Sequence, residues 1–102
     1  MSAMTVAKVS HTPPGTISVH EVDGVRIALC NVNGRFYAID DVCTHDGGPL
    51  DQGELEGILV ECPRHGGKFD VTTGRATVLP AVRAVKTYRV EVDGDDVKVE
   101  VS

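Results

Sequence analysis

The sequence predicts an all-β protein built of small antiparallel sheets, and three observations carry that prediction. Apolar residues recur at period two: valines 90, 92, 97, 99 and 101 are interleaved with Arg89, Glu91, Lys98 and Glu100. Asn-Gly and Asp-Gly pairs stand between neighbouring apolar runs, and both central residues of a type I′ hairpin turn need the positive φ that these pairs tolerate. No window carries a helical stripe, and Pro13-Pro14-Gly15, Gly47-Gly48-Pro49 and Pro80 interrupt the chain.

Taken in order, Thr16–Val22 and Val25–Val32 flank Asp23-Gly24, and Val25–Val32 and Arg35–Asp40 flank Asn33-Gly34. Thr87–Val92 and Val97–Val101 form a third hairpin around Asp93-Gly94-Asp95-Asp96, whose acidic residues read as a solvated turn. The recurrence of Glu-Val-Asp-Gly at 21–24 and 91–94 is reused hairpin chemistry rather than an internal repeat. The middle differs: residues 42–68 hold six of the eleven glycines, in two loops separated by Leu55–Glu61. The expected organisation is a single domain, 1–102, in which a β-sandwich framework carries a two-loop subdomain over residues 42–70.

Composition narrows the function. A chain of 102 residues can bury one core without disulfide staples. With 4% aromatics and no Trp, valines must fill that core, which favours strands. A net charge of −5 with no basic run argues against nucleic acid or an anionic membrane as partner. The first ten residues lack an apolar signal core, and no stretch approaches the roughly 20 apolar residues of a membrane span. Three cysteines, an odd number without an export signal, point to a reducing, cytoplasmic compartment in which thiols act as ligands.

The chemistry sits in Cys43-Thr44-His45, sixteen intervening residues, and Cys62-Pro63-Arg64-His65. A two-cysteine, two-histidine zinc finger places both thiolates on one knuckle and both imidazoles on a helix. Here each loop offers one of each. Two facing loop tips would gather the thiolates on one side and the imidazoles on the other, which suits two metals with unlike ligands better than one tetrahedral ion. A structural zinc module is the competing reading.

Cys-Thr-His-x16-Cys-Pro-x-His-Gly-Gly-x-Phe closely resembles the Rieske cluster motif, as found in the small ferredoxins of bacterial multicomponent aromatic-ring dioxygenases. The resemblance extends over nearly the whole chain, including Leu79-Pro80-Ala81 where the family has a cluster-covering proline loop. It implies one [2Fe-2S] cluster, with Cys43 and Cys62 on the inner iron and His45 and His65 on the outer iron. Two ferric ions, two sulfides and two thiolates sum to zero charge. Neutral imidazoles in place of two thiolates therefore raise the potential from roughly −400 mV to about −150 to +300 mV.

Respiratory relatives carry an extra cysteine in each loop and form a disulfide; the matching positions here are Gly48 and Arg64. They also aim a serine and a tyrosine hydroxyl at the cluster sulfurs, where this chain has Gly67 and Phe69. Fewer hydrogen bonds to sulfur stabilise the reduced state less, so the expected potential lies in the lower part of the range. Gly47-Gly48 and Gly66-Gly67 are expected to supply positive φ and to leave N–H groups free to face sulfide.

The other polar residues carry milder readings. Cys30 reads as a buried core thiol, and His11 and His20 as surface or hairpin residues. Asp46 either tunes His45, meets a partner or serves the turn, and Arg64 and Lys68 either meet a partner or are solvated. The implied function is electron transfer, not catalysis: a monomeric carrier docking transiently with a flavoprotein NAD(P)H-dependent reductase and with a terminal oxygenase of aromatic hydrocarbon catabolism. A small subunit of another reductase, such as nitrite reductase, is the alternative within the same class. A complete oxygenase would need a mononuclear iron site of two His and one carboxylate, and only His11 and His20 remain once the cluster is ligated.

Overall fold

The computed structural model describes residues 3–44, 47–63, 66–79, 81 and 83–101. Among them ten strands follow one another: β1 (Met4–Lys8), β2 (Ile17–Val22), β3 (Val25–Val32), β4 (Arg35–Asp40), β5 (Leu55–Glu56), β6 (Leu59–Glu61), β7 (Lys68–Asp70), β8 (Ala76–Val78), β9 (Thr87–Asp93) and β10 (Asp96–Glu100). One 3-10 turn, Val9–His11, is the helical exception among the described residues. A six-stranded antiparallel sheet has the order β1-β10-β9-β4-β3-β2, and a four-stranded one the order β5-β6-β7-β8. The two edge strands of the large sheet, β1 and β2, approach each other, so that sheet curls on itself.

The turn chemistry behaves as the dipeptides require. Val22 pairs with Val25 around Asp23 (φ 49°) and Gly24 (φ 79°). Val32 pairs with Arg35 around Asn33 (φ 52°) and Gly34 (φ 92°). Both central residues of each turn are left-handed, which is the I′ sense that matches strand twist. The third hairpin is tighter than its four-residue sequence suggests. Asp93 pairs directly with Asp96, and Gly94 (φ 61°) takes the first central position, the sense of a II′ turn.

The acidic turn is also more than solvated. Asp95 accepts hydrogen bonds from the Ser10 backbone N–H (2.8 Å) and from its hydroxyl (2.8 Å), while Asp96 pairs with Lys8. These contacts fasten β1, a strand too short to announce itself in sequence, along β10.

Two clusters of buried side chains share β3 and β4. Ile27 and Leu29, with Phe36 and Ala38, face the interior of the curled sheet beside Val97 and Val99. Ala28, Cys30 and Ile39 face the other way, onto Leu50, Val60, Phe69 and Val71 under the small sheet. Covered on both faces, β3 reads as a near-continuous apolar run rather than an alternating one. Cys30 is fully buried there, as the sequence suggests, and burial pushes its thiol pKa up to about 12. His20 is half-buried in β2 against the Ser18 hydroxyl (2.8 Å), and burial lowers its pKa. Val92 is left exposed because β4 pairs with β9 through Ala38 and Ile39 opposite Tyr88 and Thr87, so the far end of the β9–β10 hairpin overhangs.

Candidate metal centre

The two cysteine-bearing loops are built on one backbone plan. In the first, the Cys43 N–H donates to Gly48 O (2.7 Å) and the Gly47 N–H donates back to Cys43 O (2.7 Å). In the second, the Cys62 N–H donates to Gly67 O (2.7 Å) and the Gly66 N–H donates to Cys62 O (3.1 Å). Each loop thus closes over six residues, with a glycine at φ +76° in its fifth position. That left-handed station is why the fifth residue of both is glycine. The expectation that the N–H groups of Gly47 and Gly66 stay free for sulfide is corrected: both are used in closing the loops.

The loops stand on different supports. Residues 62–67 form the tip of the β6–β7 hairpin, whose last pair is Glu61 with Lys68. Residues 43–48 follow the end of β4 by two residues, but among the described residues the segments flanking them, 41–42 and 49–51, do not pair with each other as strands. Just before this loop, the Asp41 side chain is fully buried and accepts from Arg26 Nε (2.7 Å) and from the Asp51 backbone N–H (2.8 Å). Asp51 lies close by, and burial first, then the neighbouring Asp41 carboxylate, raises its pKa above the usual range.

The segment after β8 closes over both loops. Ala81 is buried against the second: a Cβ at Gly67 would lie 3.0 Å from the Ala81 Cβ and 3.0 Å from its backbone nitrogen, so a side chain there would displace the cover. The Thr44 hydroxyl donates to Arg83 O (2.6 Å), tying the first loop to the same segment, and the Val85 N–H donates to Gly74 O (2.8 Å). Leu79, at the start of this cover, is 74% exposed. Lys68 lies 3.9 Å from Glu61, so its charge is partly answered within the chain.

Of the four residues the motif singles out, Cys43 and Cys62 occupy matching stations at the start of their loops. Both are buried and both belong to the core cluster under the small sheet. His45 and His65 lie outside the described residues, as do Asp46, Arg64 and Pro80. Cys43, Cys62 and Cys30 form no disulfide. Two thiols withdrawn from solvent, at equivalent points of paired loops, fit the inner half of a two-iron cluster. They do not resemble a solvent-exposed reactive cysteine. Sequence reasoning passed over Asp41 and Thr44 as structural members of this region. A carboxylate two residues before Cys43, at the end of an apolar strand, was the available signal for the first.

The Rieske [2Fe-2S] domain model matches residues 2–89. The ferredoxin component of the naphthalene 1,2-dioxygenase system of Pseudomonas aeruginosa is 42% identical over 90 residues, which cover 88% of this chain and 86% of that one. The ferredoxin of carbazole 1,9a-dioxygenase from Nocardioides aromaticivorans IC177 superposes with a TM-score of 0.94 at 36% identity, over 97% of each chain. A complex of reduced oxygenase and oxidized ferredoxin in carbazole 1,9a-dioxygenase contains a chain that superposes at 0.90 with 37% identity, over 95% of this chain and 91% of that one. Among the described residues no helix is long and apolar enough to cross a membrane. This chain belongs to the Rieske [2Fe-2S] domain family, as an electron-transfer ferredoxin with one Rieske-type cluster rather than a catalytic subunit.

Proposed function

We propose that Cys43 and Cys62 hold one iron of the cluster and His45 and His65 the other. On this reading the chain carries single electrons from a flavoprotein NAD(P)H-dependent reductase to a terminal oxygenase of aromatic-ring catabolism. The observation that supports the ligand set most directly is the matched closure of the two loops, which sets two buried thiols at equivalent positions. When bound, the cluster supplies a one-electron couple; the chain's part is to hold it rigidly, keep water from its thiolate side and present its other edge. Residues 42–70 act as the cluster-binding part of one domain. The exposed Leu79 beside the cover offers an apolar contact suited to a small, short-lived docking surface. The carrier works as a cytoplasmic monomer, since it must release one partner before engaging the next.

The reading is tested by low-temperature EPR of the dithionite-reduced protein, with iron and acid-labile sulfide assays on Cys43→Ala, His45→Ala, Cys62→Ala and His65→Ala. Equal iron and sulfide, a spectrum of mixed nitrogen and sulfur ligation, and loss of both in each variant are expected. Native colour and potential in either histidine variant would overturn the ligand set, and a colourless zinc protein would favour the structural module. Reduction by a candidate reductase followed by stopped-flow oxidation with its oxygenase tests the route. Turnover with a nitrite reductase partner instead would redirect it.

A further inference from the structure

Although the two cysteine loops close in the same way, one rests on a strand ladder and the other does not. The second sits on the paired residues Glu61 and Lys68. The first leaves β4 at Asp40 and runs between the irregular segments at 41–42 and 49–51, whose two ends no strand ladder joins among the described residues. Across that gap one carboxylate joins three stretches of chain. Asp41 Oδ1 accepts from the Asp51 N–H (2.8 Å), beyond the far end of the loop, and Oδ2 accepts from Arg26 Nε (2.7 Å) on β3. The Asp41 N–H returns a hydrogen bond to Arg26 O (3.2 Å), and Arg26 Nη2 lies 3.8 Å from Asp51 Oδ1.

We infer that the Arg26–Asp41 pair is the substitute base of the first cysteine loop, a positioning device that fixes where Cys43 stands relative to the second loop. The inference rests on the proposed ligation by Cys43. A hydrogen-bonded ladder would hold positions 41 and 51 at a set separation; here a side chain does so and anchors both to the rigid, doubly covered β3. The carboxylate is fully buried, whereas the Arg26 side chain is 60% exposed. A buried carboxylate stays in place when it is charge-paired and hydrogen-bonded on both oxygens, and Arg26 supplies the charge. Without it, Asp41 is drawn toward water, and Cys43, two residues on, moves with it.

The test compares Arg26→Gln, Arg26→Lys and Asp41→Asn in the intact holoprotein, with Lys8→Gln, which removes the remote pair with Asp96, as a control. Removing a group that orients a metal ligand commonly weakens metal retention 10–100-fold. Arg26→Gln and Asp41→Asn should each lose cluster to a chelator about 10-fold faster and shift the EPR spectrum of the reduced protein, with the far-UV strand signature retained. Arg26→Lys should recover part of the loss, and Lys8→Gln should change nothing. Combining Arg26→Gln with Asp41→Asn should add little, because both break one unit.

Wild-type retention and spectrum in Arg26→Gln overturn the inference, and since Arg26 is largely exposed that variant decides even if Asp41→Asn does not fold. Cys43→Ala separates the two levels. If it keeps its cluster, the ligand assignment fails. If it loses the cluster while Arg26→Gln is silent, only the positioning role fails.

Discussion

At Gly66 the backbone turns through φ +76°, and a Cβ placed there would meet nothing within 4 Å. The demand for glycine is therefore conformational and not steric. Gly66→Val should cost about 1–3 kcal/mol of local strain and lower iron per chain, while Gly66→Asn, which tolerates the left-handed region, should lose less. Wild-type iron content in Gly66→Val would contradict this. Cys30 supplies the opposite kind of residue. Full burial keeps its thiol protonated and out of reach of solvent, so it should resist alkylation while the protein is folded. Cys30→Ala should keep the colour and potential of the parent at a cost of about 1 kcal/mol. Loss of the cluster in that variant would make Cys30 a participant.

The three long hairpins were legible because their turns are encoded in dipeptides with a backbone requirement, as at Asp23-Gly24 and Asn33-Gly34. β1 was not, because a five-residue strand with mixed burial has no pattern of its own and exists through its partner β10. Part of that attachment is electrostatic. The backbone N–H of Ser10, then its hydroxyl, hold the Asp95 carboxyl below its usual value of 3.8. A depressed carboxyl contributes stability above the unfolded pKa and loses it as pH falls through the folded one. Asp95→Asn should therefore lower the melting temperature at pH 7, with the difference from the parent vanishing as the pH drops below about 3.8. A difference that grows on acidification would reverse the assignment.

The described residues pack into two cores, and β3 and β4 belong to both. That sharing makes the framework a rigid floor for the metal centre while letting the two respond separately to substitution. Leu29→Ala, on the curled-sheet side, should cost about 2–5 kcal/mol with the potential and EPR spectrum of the holoprotein unchanged. Phe69→Ala, fully buried two residues beyond the second loop, should cost about 3–5 kcal/mol and disturb both as well. Equal spectroscopic effects from the two variants would mean that the cores are not separable.

By itself the sequence determined the strand-rich class, the I′ hairpins and the two-part cysteine and histidine motif, because turn dipeptides and ligand spacing are local and survive without a fold. Only the tertiary structure decided that Cys30 shares a core with Cys43 and Cys62, that Asp41 reaches from β3 to Asp51, and that Ala81 and Arg83 close over both loops. Those relations join residues far apart along the chain. Their partners are chosen by which faces of β3 and β4 are covered and by where a buried carboxylate can find a cation, and neither leaves a periodic trace in the order of amino acids.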